Sequence, residues 1–152
     1  VGFDQDPHIR LTRDIAVKHG FIPPASIYHK FMCGLSGVNT KMSKRDPSSV
    51  IYLNEAPNVA RKKIMKYAFS GGRATVEEHR KLGGDSAVDV SYQYLTYLMD
   101  DDKELACIRD DYTSGKLLSG ELKKILADLV EDFLVKHQDK REKARSVVSK
   151  FF

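Results

Sequence analysis

The pattern that most limits what this chain can become is a long amphipathic run near its end. After Ser119, residues Leu122, Ile125, Leu126, Leu129, Val130, Phe133 and Leu134 recur at three- and four-residue spacing. That spacing puts them on one side of a helix, and such a stripe needs other apolar surfaces to cover it. Shorter helical patterns lead up to it. Residues 54–68 carry Val59, Ile64, Met65 and Ala68, with Arg61, Lys62, Lys63 and Lys66 on other faces, and Ser70-Gly71-Gly72 ends the pattern. Thr75-Val76-Glu77-Glu78 fits a capping box, Thr at the cap and Glu three residues on, and Gly83-Gly84 closes that short helix. Residues 88–99 are aromatic-rich and apolar on several sides, which reads as a buried helix. Asp100-Asp101-Asp102 suits a helix start, where acidic side chains are favoured. The charged stretch 136–150 reads as a continuing helix with a solvated face.

The beginning of the chain follows a different pattern. Val1-Gly2-Phe3 reads as the end of an apolar strand, and Asp6-Pro7 opens a helix, with Asp6 as cap and Pro7 in the first turn. Ile9, Leu11, Ile15 and Ala16 give that helix an apolar stripe, and Gly20 ends it. Residues 26–32 read as a further strand. Strand, turn and helix make half of a βαβ unit. No convincing strand follows residue 54. The fold class is therefore mixed: residues 1–53 as the last part of an α/β domain, residues 54–152 as an all-α domain large enough for its own core. The chain reads as a fragment of something longer.

Between these halves lies Val38-Asn39-Thr40-Lys41-Met42-Ser43-Lys44-Arg45-Asp46-Pro47. Small and polar residues precede two lysines, and Asp-Pro follows them, which reads as a mobile cationic loop rather than a helix or strand. Two ammonium groups on such a loop suit a polyphosphate whose charge is redistributed during reaction. The net charge of +4 permits nucleic-acid binding without requiring it. No apolar run approaches a membrane span. The two cysteines, Cys33 and Cys107, are far apart and form no metal-binding pattern, so they read as reduced, buried thiols. Glu77-Glu78-His79-Arg80 has the wrong spacing for a zinc motif and reads as a surface helix. Tyr92, Tyr94 and Tyr97, set among Leu95, Leu98 and Met99, read as core. No metal ligands are assigned.

Lys41-Met42-Ser43-Lys44 resembles the KMSKS loop of class I aminoacyl-tRNA synthetases, with Arg45 in place of the final Ser. The wider resemblance is to tryptophanyl-tRNA synthetases of the eukaryotic and archaeal type. It rests on Asp4-Gln5-Asp6-Pro7, Thr12-Arg13-Asp14, Ala68-Phe69-Ser70-Gly71-Gly72-Arg73, Glu77-Glu78-His79-Arg80, Val88-Asp89-Val90-Ser91-Tyr92, Asp110-Asp111-Tyr112-Thr113-Ser114-Gly115 and Gly120-Glu121-Leu122-Lys123-Lys124. These strings come in family order and cover nearly the whole chain. The resemblance implies that residues 1–53 are the C-terminal part of a Rossmann catalytic domain and 54–152 a helical anticodon-binding domain. It implies a cytoplasmic enzyme that joins tryptophan to tRNA(Trp) with ATP, Mg2+ accompanying the ATP, and a homodimer.

The same resemblance implies roles for individual residues. Gly37, Thr40, Lys41, Met42, Ser43 and Lys44 would bind ATP, and Lys41, Ser43 and Lys44 would act in catalysis. Gln5 would face the tryptophan amino group, where its side-chain oxygen can accept a hydrogen bond. Arg73, Lys123 and Lys124 would contact tRNA. The family often has an acidic residue after this Arg; Ala74 stands there instead, which removes an acceptor for a cytosine amino group. The family's HIGH-type motif has no counterpart in these residues, so they are expected not to activate an amino acid alone. A tRNA-binding module without catalysis and a tyrosine-specific synthetase are the alternatives.

Overall fold

The computed structural model describes residues 1–151. It is mostly helical, with one two-stranded sheet. The chain divides into two compact units, one over Val1–Met32 and one from Cys33 onward. The segment holding the two lysines is bonded to the helical part, since Phe69 N–H donates to Leu35 O, and within the segment Leu35 N–H donates to Ser49 O.

In the first unit, helix α1 spans Asp6–Lys18 with Pro7 in its first turn. Asp6 is not the cap as expected. It is the first helical residue and pairs with Arg10 at 2.6 Å, one turn on. The two expected strands reduce to one parallel bridge between Gly2 and His29, bonded from Phe3 N–H to His29 O and from His29 N–H to Val1 O. Arg13 holds the returning segment through Pro24 O at 3.0 Å and Ser26 Oγ at 3.2 Å. The expected apolar stripe of α1 buries only Ala16; Leu11 and Ile15 are exposed.

In the second unit, strands β1 (Cys33–Gly34) and β2 (Gly37–Lys41) form an antiparallel hairpin. Residues up to Lys41, read as loop from sequence, are therefore strand. The alternation that marks a strand is hidden by Gly37, Asn39 and Thr40. Gly34 lets the strands close: a Cβ there would sit 2.8 Å from Thr40 Oγ1 and 3.0 Å from Lys41 O.

Five helices follow: α2 (Pro57–Tyr67), α3 (Val76–Leu82), α4 (Val90–Leu98), α5 (Asp102–Thr113) and α6 (Ser119–Arg145). Their starts obey local rules. Thr75 accepts from Glu78 N–H at α3, Asp89 from Ser91 and Tyr92 N–H at α4, and Asp101 from Lys103 and Glu104 N–H at α5. At α6 the Glu121 carboxylate accepts from Leu118 N–H at 2.7 Å. Most of the expected stripe on α6 forms the spine of the core, but Phe133 is exposed. Leu122, Leu126, Ala127, Val130 and Leu134 of α6 are buried against Ala60 and Ile64 of α2, Val90, Tyr94 and Leu95 of α4, and Ile108 and Tyr112 of α5. Arg61 reinforces the α2–α6 contact through Asp128 and Glu131, both at 2.5 Å. Among the described residues no helix is long and apolar enough to cross a membrane.

Candidate functional site

The two lysines stand at the end of β2 and in the hydrogen-bonded turn that follows it. Lys41 ends β2, its Cα paired with that of Cys33. After Met42 the chain folds back through a bridge between Ser43 and Asp46, with Lys44 and Arg45 in the turn and exposed. Asp46 N–H donates to Ser43 O at 3.1 Å, and Arg45 N–H to Ser43 Oγ at 3.2 Å. The Asp46 carboxylate accepts from Ser48 N–H and Ser48 Oγ, and among the described residues it forms no ion pair with Arg45. Ser49 is buried behind the turn. Its hydroxyl accepts from Ser43 N–H at 3.1 Å and donates to Asp46 O at 2.7 Å. Gly37 and Thr40 stand just upstream on β2, where Thr40 Oγ1 donates to Gly37 O at 2.7 Å. Gly37, Thr40, Lys41, Met42, Ser43 and Lys44 thus lie together on one hairpin and turn. A strand end and a tight turn that both offer lysine can meet an anionic group without collapsing into it.

A second cluster forms where α3 meets the first turn of α6. Arg73, Ala74, Thr75, Val76, His79, Leu118, Ser119, Gly120 and Glu121 line an open cavity of about 400 Å³. Arg73 is steadied by Gly83 O, which accepts from its Nε at 2.9 Å, and the residue is otherwise exposed. The segment before it is fixed from inside. Buried Asp89 accepts Gly71 N–H at 2.8 Å and Tyr112 Oη at 2.8 Å, and Tyr112 Oη lies 3.0 Å from Ser119 Oγ. Burial pushes the Tyr112 phenol well above its usual range, and the neighbouring Asp89 charge adds to the shift.

His79, read as a surface residue, is buried instead. Its Nε2 lies 2.9 Å from Leu117 O and its ring 5.2 Å from that of Tyr112. The helix is short, so its inward face falls on that histidine. Tyr94 is core as expected, and its hydroxyl donates to Cys33 O at 2.6 Å. Tyr97, also read as core, is 42% exposed. Cys33 is buried, and burial raises its thiol; Cys107 is exposed, against the reading of both as buried.

Lys123 and Lys124 follow the cavity by one turn but do not line it; Lys123 is half-buried and Lys124 exposed. Gln5 belongs to the first unit, where it precedes α1 and is exposed. Sequence reasoning missed Ser49 and Asp89. An Asp one residue before an apolar helix start was a legible cap signal for Asp89. Ser49 had no such mark.

The family model described as tRNA synthetases class I (W and Y) matches residues 1–135. Tryptophan–tRNA ligase of Sulfolobus acidocaldarius is 49% identical over 151 residues, 99% of this chain and 40% of that protein. The cytoplasmic tryptophan–tRNA ligase of Homo sapiens is 46% identical over 149 residues, 98% of this chain and 32% of that protein. The solved tryptophanyl-tRNA synthetase from Giardia lamblia superposes with a TM-score of 0.87 at 47% identity, over 93% of this chain and 35% of that one. The chain thus spans between about a third and two fifths of the length of these relatives. With most of its residues matched by the family model, this chain belongs to the class I tRNA synthetases of the W and Y type.

Proposed function

We propose that this chain is part of a tryptophan–tRNA ligase, to which it supplies the ATP loop and the RNA-binding helical region. In the first step the tryptophan carboxylate attacks the α-phosphate of MgATP, forming tryptophanyl-adenylate and releasing pyrophosphate. In the second step a hydroxyl of the terminal ribose of tRNA(Trp) takes the acyl group from the adenylate and AMP leaves. The chain's contribution to the first step is electrostatic. Lys41 and Lys44 face the phosphates, the Ser43 hydroxyl adds a neutral donor, and Gly37, Thr40 and Met42 shape the approach. Charge that builds on the leaving pyrophosphate meets fixed ammonium groups, which lowers the barrier more than it strengthens ground-state binding. Gln5 accepts from the amino group of tryptophan.

In the helical region Arg73 meets the anticodon arm, with Lys123 and Lys124 on neighbouring backbone phosphates. Residues 1–53 correspond to the end of a Rossmann catalytic domain, and residues 54–152 to an anticodon-binding domain. The enzyme is cytoplasmic and homodimeric in this reading.

The observation that carries it is the strand end and hydrogen-bonded turn presenting Lys41, Ser43 and Lys44 in a chain nearly half identical to tryptophan–tRNA ligases. The test is amino-acid-dependent pyrophosphate exchange by the full-length protein. Exchange with tryptophan and not with tyrosine is the expected result; preference for tyrosine overturns the assignment. Residues 1–152 alone contain no His-x-Gly-His string and are expected to give no exchange.

A further inference from the structure

The two lysines of the turn are held by different parts of the fold. Lys41 is fixed by strand pairing, since its Cα faces that of Cys33 across the hairpin. Lys44 lies beyond the hairpin, between the bridged residues Ser43 and Asp46. Beside the bonds within the turn and the Asp46 carboxylate on Ser48, one side chain ties both bridged residues from behind. Ser49 Oγ takes Ser43 N–H at 3.1 Å on one side of Lys44 and donates to Asp46 O at 2.7 Å on the other. Ser49 N–H donates to the same Asp46 oxygen at 3.0 Å. The carbonyl of Ser49 accepts from Leu35 N–H at 3.0 Å, and Leu35 is fully buried. The turn is thereby tied to the core of the second unit. Ser49 itself is only 3% exposed, so it acts on a ligand through the turn and not by touching it.

We infer that Ser49 is a positioning residue for Lys44 and not for Lys41, a role that rests on the proposed nucleotide function of the turn. Removing its hydroxyl leaves Ser43 N–H without its partner and frees the Asp46 carbonyl from one of two donors. The segment that loosens is the one carrying Lys44. The Cys33–Lys41 pairing contains no bond to Ser49 and keeps its register. A point charge that wanders delivers less stabilisation to a transition state than one held in place.

A kinetic double-mutant cycle on the full-length ligase tests this, with tryptophan-dependent pyrophosphate exchange as readout. The variants are S49A, K41A, K44A and the doubles S49A/K41A and S49A/K44A. S49A is expected to lower kcat by about three- to tenfold, the loss of two neutral hydrogen bonds felt through the turn, with KM for tryptophan unchanged. In the K44A background S49A should change kcat by less than about twofold, whereas in the K41A background its full effect should persist. A merely structural role for Ser49 lowers activity equally in both backgrounds, and that result overturns the proposal. So does an S49A enzyme with unchanged kcat. If K44A alone leaves exchange intact, the nucleotide reading of the turn fails first, and the role of Ser49 falls with it.

Discussion

At the scale of single residues, the deepest chemistry of this chain is built from uncharged donors around one acid. Asp89 is fully buried, and its carboxylate accepts from Gly71, Ser91 and Tyr92 N–H and from Tyr112 Oη. Four donors replace the water that a buried carboxylate loses. Tyr112 and Tyr94 are the complementary case, phenols held neutral. Burial raises both, helped by Asp89 at Tyr112 and by Cys33 at Tyr94. A phenol raised in the folded state stabilises the fold below its unfolded value, and this support is lost as pH climbs above about 10 toward the folded value.

Absorbance titration of the seven tyrosines should therefore show two that ionise only as the protein unfolds. Y112F and Y94F should each flatten the loss of stability above about pH 10; an unchanged slope in both would contradict it. Such residues were partly legible in the sequence. Lys41, Ser43 and Lys44 stand out because their types and spacing are unusual. Ser49 does not, because a serine earns its role only from what the fold brings to it.

At the scale of elements, the helices were legible and the hairpin was not. Amphipathic spacing, Thr75 as cap and Gly83 as terminator mark α3 and its neighbours in advance. β1 and β2 are short, glycine-containing and polar, so their pairing depends on backbone bonds that leave no side-chain pattern. Gly83 shows how hard one terminator can be constrained. Its φ is +69°, and a Cβ there would lie 1.7 Å from Thr113 O. Alanine is strained by the backbone and obstructed by a neighbouring main chain. G83A should cost about 2 kcal/mol or more in chemical denaturation, and a midpoint within error of wild type would show that the α3–α5 contact yields easily. The expected strand over 26–32 failed for a different reason. Its backbone finds a partner only around Val1–Phe3, too short a segment to extend a ladder.

At the scale of the whole molecule, the buried apolar side chains are unevenly shared. Of those in the core among the described residues, only Ala16 belongs to the first unit; the others run from Cys33 to Leu134. A polypeptide beginning at Cys33 should therefore keep its helical circular dichroism and one cooperative thermal transition. Loss of cooperativity would mean that residues 1–32 supply support beyond their own burial. The helical character of the later chain was readable from the sequence, but the two compact units were not, because their division depends on Leu35 bonding to Ser49 and Phe69.

Helix α6 has one more consequence. Its first turn borders the Arg73 cavity, and nineteen residues later Gln138 Nε2 donates to the carbonyls of Leu53 and Glu55, just past the two-lysine turn. At 1.5 Å per residue that interval is about 29 Å. The helix is thus a ruler: it fixes the distance between the Arg73 cavity and the segment around Leu53 and Glu55.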